Sequence, residues 1–253
     1  MDDRPEQWSV LGATAPRQGI RPARGAVALW RLDTRQDVIG GHPVGGALLD
    51  AAERSRAAAL VRPGDRHRYL AAHVGLRVLL GGYLGIPPER VSFVREDCPH
   101  CGGPHGRPAL GGDPVAGLHF SLTHSGAVAA VAVATAPVGL DIEAHPRPEV
   151  AGGLLRSLHP RESAALLALP TAARPAALAR VWVRKEACLK ATGAGIGYGL
   201  THPFVGADPV PAPVPGWTVS DLWAPLGYCA ALAAPTPQGL HTRSADETEG
   251  AAA

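Results

Sequence analysis

Lysine is nearly absent from this chain of 253 residues, although 24 residues are lysine or arginine. The only two lysines are Lys185 and Lys190, and both lie in the segment Trp182–Lys190. Arginine presents a wide planar fork, whereas lysine is a compact point charge on a flexible stem. The scarcity of lysine elsewhere indicates that this segment requires an ammonium group. An ordinary helical pair of Glu186 with Lys190 is the alternative.

Aromatic residues, long apolar runs and cysteines are also few. Phe, Trp and Tyr make up 5% of the chain, so a core must be built mainly from Ala, Leu and Val. The longest apolar run, 127–134, is too short to cross a bilayer, and the charged start of the chain is no signal peptide. Four cysteines, only two of them close together, form no disulfide framework. We expect a soluble, cytoplasmic, monomeric protein that binds neither membranes nor nucleic acids.

Positive charge is concentrated between Glu53 and Glu96. Eight arginines in this stretch face four acidic residues, and eight minus four leaves a local excess of +4. Such a surface attracts phosphates or an acidic protein. A solvated helix face is the alternative that the count leaves open.

The apolar pattern divides the chain into two halves between two tails. Residues 1–24 and 236–253 lack apolar periodicity, and we predict that they are flexible tails. Residues 25–137 and 138–235 each run from a strand through helices to further strands. This order predicts an α+β fold of two similar lobes related by a pseudo-two-fold axis, with the active site in the cleft between them.

Element by element, periodicity and turn residues give a coarse map. We predict a long loop at 96–117, and Asp65 is the predicted N-cap of the second helix. The predicted strands are 27–30, 91–94, 118–122, 128–134, 138–143, 217–220 and 226–231. The predicted helices are 48–60, 65–84, 149–158, 161–169 and 171–192.

Two carboxylates lie two residues apart in the predicted strand 138–143. Side chains at such positions project from the same face of a strand, so Asp141 and Glu143 point one way while Leu140 and Ile142 pack into the core. Neighbouring carboxylates repel each other unless a cation lies between them. Oxygen ligands favour Mg²⁺ over zinc. A half-exposed strand with solvated acids is the alternative.

The lysine segment supplies a third carboxylate. At about 100° per residue, Glu186 lies on the same edge of the predicted helix as Lys190, whereas Lys185 falls on the other flank. With Trp182 and Leu189 packed against the core, Glu186 would join Asp141 and Glu143 at a Mg²⁺ site. Lys190 would then lie next to any phosphate that the metal holds.

Four segments in order carry a resemblance to a known family. They are Gly106–Pro108, Phe120–Gly126, Gly139–Glu143 and Trp182–Lys190. The series resembles the 4′-phosphopantetheinyl transferases of the Sfp type and covers roughly residues 48–200. That resemblance implies transfer of 4′-phosphopantetheine from coenzyme A to a serine of an apo acyl or peptidyl carrier protein. The carrier would belong to fatty-acid, polyketide or nonribosomal-peptide synthesis, and adenosine 3′,5′-bisphosphate would be released.

The resemblance also implies roles for particular residues. Glu186 and Lys190 would be catalytic, and Glu186 would accept the serine proton. The Mg²⁺ ligands would be Asp141, Glu143 and Glu186. The coenzyme contacts would be Arg56, Arg68, Arg107, Thr123, His124, Asp141, Lys185 and Lys190.

The Cys/His segment 97–105 is not explained by this assignment. Cys98 and Cys101 have C-x-x-C spacing, with His100 and His105 beside them, and zinc is one reading. No second cysteine pair follows, and ligands so close in sequence are poorly suited to a closed tetrahedron. We interpret the segment as a reduced, thiol-rich loop.

Two other functions compete with the transferase. Another Mg²⁺-dependent phosphotransferase or pyrophosphatase would explain the carboxylates but not the whole motif series. An inactive module that docks carrier proteins or coenzyme A is the second alternative. The intact residues Asp141, Glu143, Glu186 and Lys190 argue against it.

Overall fold

The computed structural model describes residues 8–12, 15–16, 18–112, 117–195, 197 and 199–236. The main helices are α1 (Ala51–Ala59), α2 (Pro63–Leu84), α3 (Pro148–Leu154), α4 (Pro160–Ala168) and α5 (Arg174–Thr192). The strands are β1 (Ser9–Val10), β2 (Val27–Asp33), β3 (Val38–Ile39), β4 (His42–Pro43), β5 (Phe93–Arg95), β6 (Pro108–Leu110), β7 (His119–Ser125), β8 (Val128–Ala134), β9 (Gly139–Ala144), β10 (Trp217–Leu222) and β11 (Tyr228–Pro235).

Two sheets of the same connectivity carry the fold. The first has the order β1-β2-β8-β7 and the second β10-β11-β9, while β3-β4 and β5-β6 form small ribbons. In the first sheet, β2 precedes the helices and pairs antiparallel with β8, the last strand, which also pairs with β7. In the second sheet, β9 precedes the helices and pairs antiparallel with β11, the last strand, which also pairs with β10. The prediction of a mixed α+β architecture is confirmed.

Apolar side chains on alternate faces of the strands divide the core into layers. In β8, Ala129, Val131 and Val133 pack in the cluster beneath α2. The intervening β8 alanines face a second cluster that also contains Leu140 and Ile142 of β9. A third cluster lies between α5 and β11. The predicted inward packing of Leu140 and Ile142 is confirmed, and it leaves the acidic face of β9 directed toward α5.

Helix α2 begins two residues earlier than predicted. Pro63 occupies the first turn, where its fixed φ and missing N–H cost nothing, and Arg62 rather than Asp65 is the N-cap. Asp65 instead pairs with Arg68 one turn on. The helix ends as predicted at Gly85, whose φ of 69° lies in the left-handed region that glycine tolerates.

Three other segments depart from the expectations. Within the predicted N-terminal tail, β1 pairs parallel with β2, and Trp8 and Leu11 are buried. Within the predicted loop 96–117, β6 pairs with β5. Of the predicted C-terminal tail, residues 237–253 lie outside the described residues. No helix in the described ranges is both long and apolar enough to cross a membrane.

Candidate active site between strand β9 and helix α5

A glycine lets strand β9 and helix α5 touch backbone to backbone. A Cβ atom on Gly139 would overlap with the Ala187 carbonyl oxygen and crowd the Ala191 nitrogen. Any side chain at this position would push the helix away from the strand. The close approach brings the last turn of α5 alongside the first residues of β9.

Lys190 uses that approach to reach the strand. Its Nζ donates to Asp141 Oδ1 at 2.6 Å and to the Leu140 carbonyl oxygen at 3.2 Å. Asp141 is 2% exposed, and the Lys190 side chain is 30% exposed. The ammonium therefore neutralises a buried carboxylate while keeping one side open to solvent.

Hydroxyl groups on β7 join the two sheets and hold the carboxylates. Along β9, every second N–H group points toward β7, and along β7, every second side chain points toward β9. Each of these N–H groups therefore meets one odd-numbered side chain of β7. The hydroxyls of Ser121, Thr123 and Ser125 accept from the N–H groups of Leu140, Ile142 and Ala144, at 3.0, 3.3 and 3.1 Å. Thr123 also donates to Asp141 Oδ1 at 2.9 Å, and Ser125 donates to Glu143 Oε2 at 2.7 Å.

Sequence reasoning missed Ser121 and Ser125, whose hydroxyls bond to β9. Thr123 was expected to contact the coenzyme, but its hydroxyl is buried and occupied by strand β9 and Asp141. It is a positioning group for the carboxylate. The Ser-x-Thr-x-Ser alternation in the strand was the signal for this role.

Two carboxylate oxygens at this site are buried and unmatched. Asp141 Oδ2 and Glu186 Oε1 have no hydrogen-bond partner among the described residues. Burial, followed by the charge of Asp141, raises the pKa of Glu186 to about 7 despite the opposing charge of Lys190. Burial also raises the pKa of Glu143, against the hydrogen bond from Ser125. Such unmatched, mutually repelling oxygens suit the coordination of a cation.

The carboxylates interact electrostatically but stand apart. Asp141 and Glu143 both raise the pKa of Glu186, so the three groups sense one another. They do not form a cluster with all ligand atoms within 4.8 Å of one another, as the Cys98, Cys101 and His105 group does. Repulsion between anions accounts for the wider spacing.

His124 is exposed and lies next to the last residue of β7. Partial burial, followed by the charges of Lys190 and Arg68, lowers the pKa of its imidazole. His73 of α2, which stacks on Tyr69 at 3.8 Å between centroids, also interacts with His124. The structure thus brings His124 and Arg68 together with Lys190.

The other two arginines lie farther out. Arg107 donates to the Ala191 carbonyl oxygen at 2.6 Å and pairs with Glu96 at 2.8 Å, which places it at the C-terminal end of α5. Arg56 is exposed in the last turn of α1, on the N-terminal half of the chain. Within the described part of the chain, neither arginine forms a hydrogen bond or ion pair with the three site carboxylates.

Lys185 does not lie where the coenzyme contact was expected. Its fully buried ammonium pairs with Glu162 at 2.7 Å and donates to the Pro203 carbonyl oxygen at 2.6 Å. Burial lowers its pKa, and the ion pair with Glu162 opposes that shift. The two lysines thus have different partners: Lys185 connects α5 to Glu162 of α4, and Lys190 connects α5 to Asp141 of β9.

Comparison with known proteins bears on this arrangement. Residues 137–230 match the model of the 4′-phosphopantetheinyl transferase superfamily. The 4′-phosphopantetheinyl transferase HetI of Nostoc sp. is 37% identical over 174 residues, which are 67% of this chain and 70% of the relative. This chain belongs to the 4′-phosphopantetheinyl transferase family. The 4′-phosphopantetheinyl transferase psf-1 of Bacillus pumilus is 34% identical over 137 residues, 54% of each chain.

The resemblance read from the motifs is therefore confirmed, and the chain is an enzyme of this transferase family. The matched range 137–230 contains Asp141, Glu143, Glu186 and Lys190. It does not contain His124 or the β7 hydroxyls that hold the carboxylates. The range matched by the family model covers β9, α5 and β10, whereas the hydroxyl groups that contact β9 lie on β7 of the first sheet.

Proposed function

We propose that this enzyme transfers 4′-phosphopantetheine from coenzyme A to a serine of an apo carrier protein, with Mg²⁺ as cofactor, and releases adenosine 3′,5′-bisphosphate. The observation that carries the proposal is the pair of buried, unmatched oxygens on Asp141 and Glu186. A divalent cation would satisfy both and would relieve the repulsion that raises the pKa of Glu186.

The ligands of the cation would be Asp141, Glu143 and Glu186, with Thr123 and Ser125 orienting the first two. Small side-chain rotations would close the gap between them once the cation offsets their repulsion. When bound, Mg²⁺ would supply positive charge to the pyrophosphate of coenzyme A. This donor set is entirely oxygen, which suits Mg²⁺.

The residues of the chain would position the reacting groups. Lys190, partly open to solvent beside Asp141, would contact a phosphate oxygen, and His124 and Arg68 would contact the phosphates of the nucleotide. Phosphoryl transfer depends mainly on such positioning and charge neutralisation. Lys185 has no part in this assignment because its ammonium is already fully paired.

Glu186 would act as general base. Its ionised carboxylate, held at the cation, would accept the proton of the serine hydroxyl. The serine oxygen attacks the phosphorus that bears pantetheine, and its proton passes to Glu186. The bond from that phosphorus to the bridging oxygen breaks, and adenosine 3′,5′-bisphosphate leaves with the electron pair.

The two lobes would be related by pseudo-two-fold symmetry, and the site would lie in the cleft between them. The shared strand order of the two sheets supports this arrangement. So does the contact of β7 with β9, an edge strand of one sheet against an edge strand of the other. The bounds 137/138 and 235 follow the same division, while β1 would extend the first lobe beyond the expected start at residue 25.

The experiment is mass analysis of an apo carrier protein after incubation with the enzyme, coenzyme A and Mg²⁺. We expect the carrier to gain one phosphopantetheine group on its serine. Free nucleotide products with an unmodified carrier would favour the pyrophosphatase alternative, and neither product would favour an inactive docking module. Carriers from fatty-acid, polyketide and nonribosomal-peptide synthases in parallel would identify the preferred partner.

A further inference from the structure

The hairpin loop between β5 and β6 is closed by its own backbone. Gly106 N–H donates to the Glu96 carbonyl oxygen at 2.8 Å, and Cys98 N–H donates to the Gly103 carbonyl oxygen at 2.7 Å. A Cβ atom on Gly106 would run into the carbonyl oxygens of Glu96 and Asp97, so only glycine permits this closure. The loop therefore doubles back across its C-x-x-C turn.

That return brings three metal-binding side chains together. One ligand atom each of Cys98, Cys101 and His105 lies within 4.8 Å of the other two, and Cys101 Sγ is 2.9 Å from His105 Nε2. Within the described part of the chain, this is the one group of three or more His, Cys, Asp or Glu residues found at such spacing. Cys98 is buried, whereas Cys101 and His105 are exposed.

The backbone around Cys98 suits a bound thiolate. The N–H groups of His100 and Cys101 both donate to its sulfur. Hydrogen bonds of this kind stabilise a thiolate and fix its direction toward a metal. Gly103 lies directly against the His105 ring, with 3.0 Å between a hypothetical Cβ and the ring, so a larger residue would displace the imidazole.

We propose that Cys98, Cys101 and His105 bind a Zn²⁺ ion, with water in the fourth position. Two thiolates and one imidazole favour zinc over the hard cations that the carboxylate site would take. With Zn–S near 2.3 Å and Zn–N near 2.0 Å, a tetrahedron needs S···N separations of about 3.5 Å. Cys101 Sγ and His105 Nε2 lie 2.9 Å apart, so a separation of about 3.5 Å requires them to move apart by roughly 0.6 Å. The sequence-based objection fails because the hairpin supplies the curvature that linear spacing lacks.

The proposed zinc site would stabilise the structure next to the transferase centre. Arg107 follows the loop directly and donates to the Ala191 carbonyl oxygen of α5. A Cβ atom on Gly193, the residue after α5, would lie 3.8 Å from Pro99 and 3.7 Å from Arg107. The metal would thus hold the loop, and Arg107 with it, against the end of the helix that carries Glu186 and Lys190.

The test is the metal content of the full chain, produced in zinc-supplemented cells without a metal-affinity tag. We expect one zinc per chain by mass spectrometry of the metal. Replacement by Co²⁺ should give a thiolate-to-cobalt charge-transfer band. Folded wild-type protein without zinc, and without this band after Co²⁺ addition, would overturn the proposal.

Variants locate the ion. Cys101→Ser and His105→Ala should each lower the zinc content at least tenfold, whereas Cys229→Ser, a cysteine elsewhere in the fold, should retain it. Glu186→Gln should also retain it. Zinc lost from Glu186→Gln but kept in Cys101→Ser would place the ion at the carboxylates and contradict the proposal.

Hydrogen exchange supplies a readout independent of activity. Removal of zinc by a chelator should speed exchange of the Cys98, Gly102 and Gly106 amides, whose hydrogen bonds close the loop. Amides in the middle of α2 should be unaffected. Equal exchange in the loop before and after zinc removal would show that the ion does not hold the hairpin.

Discussion

The two lysines of helix α5 lie five residues apart and have opposite environments. Lys185 is fully buried against Glu162, whose second oxygen accepts from the Val205 and Gly206 N–H groups, so every charge there has a partner. Around Lys190, Asp141 and Glu186 each keep a buried oxygen without a partner in the described structure. The Lys185 pair therefore leaves no buried oxygen for a ligand, whereas the surroundings of Lys190 leave two.

The sharpest test of this contrast is Glu186→Gln, which removes the proposed base and cation ligand but keeps the side-chain shape. We expect kcat for carrier modification to fall by about 10²–10⁴-fold. The variant should keep the wild-type circular dichroism spectrum. Activity within twofold of wild type would remove Glu186 from both roles.

Lys185→Met tests the saturated pair. It leaves Glu162 buried without its cation, and breaking such a pair costs about 3–5 kcal/mol. Denaturant unfolding should show this loss, while kcat of the remaining folded enzyme stays near wild type. A large loss of kcat with unchanged stability would reverse the assignment of the two lysines.

The unfolding temperature, measured as a function of pH, should further distinguish the surroundings of Lys190 from those of Lys185. The pKa of Glu186 rises from 4.5 to about 7 on folding, so its contribution to stability is full below pH 4.5 and is lost as pH rises through 7. Without divalent cations, the loss amounts to roughly 3 kcal/mol above pH 7. Glu186→Gln should lack this decline. Parallel curves for both proteins would contradict the raised pKa.

Much of the site follows from local patterns in the sequence. The strand period aligned Asp141 with Glu143, and the helix period separated Lys185 from Glu186 and Lys190. The partner of Lys185 was not accessible in this way, because Glu162 lies on another helix and only tertiary packing joins them. The cap of α2 was misplaced for a different, local reason: Pro63 suits the first helical position, which makes Arg62 rather than Asp65 the N-cap.

The contacts between sheets were equally hidden. The hydroxyls of β7 meet β9 only because two sheet edges adjoin, and no periodicity within one strand indicates that. The segment of Cys98 and Cys101 was interpreted as a reduced, thiol-rich loop, and its closure at Gly106 appears only where the chain returns past Glu96.

Thr123→Val tests whether the unsaturated site depends on its hydroxyl supports. The change removes the donor to Asp141 and leaves the Ile142 N–H without an acceptor, a cost of about 1–3 kcal/mol. We expect kcat to fall by about tenfold, the rate equivalent of 1.4 kcal/mol. Thr123→Ser, which keeps the hydroxyl, should restore activity. A Ser variant no better than Val would indicate that methyl packing matters instead.

The smallest effects are expected from the outlying arginines. Arg68 interacts with His124, whereas Arg56 is exposed on α1, so Arg68→Ala should raise the KM for coenzyme A more than Arg56→Ala. We expect increases of about tenfold and about twofold, the tenfold change corresponding to 1.4 kcal/mol. Initial rates at varied coenzyme A would measure both. A larger effect for Arg56 would shift the nucleotide toward α1.

Binding of Mg²⁺ measured by isothermal titration calorimetry near pH 7, in buffers of different ionisation enthalpy, tests the central claim most directly. We predict one Mg²⁺ site per chain in the presence of coenzyme A, with proton release on binding, because Glu186 must lose its proton to become a ligand. The site should be absent from Asp141→Asn and Glu186→Gln. Unchanged Mg²⁺ binding in both variants would contradict the assignment of these carboxylates to a cation.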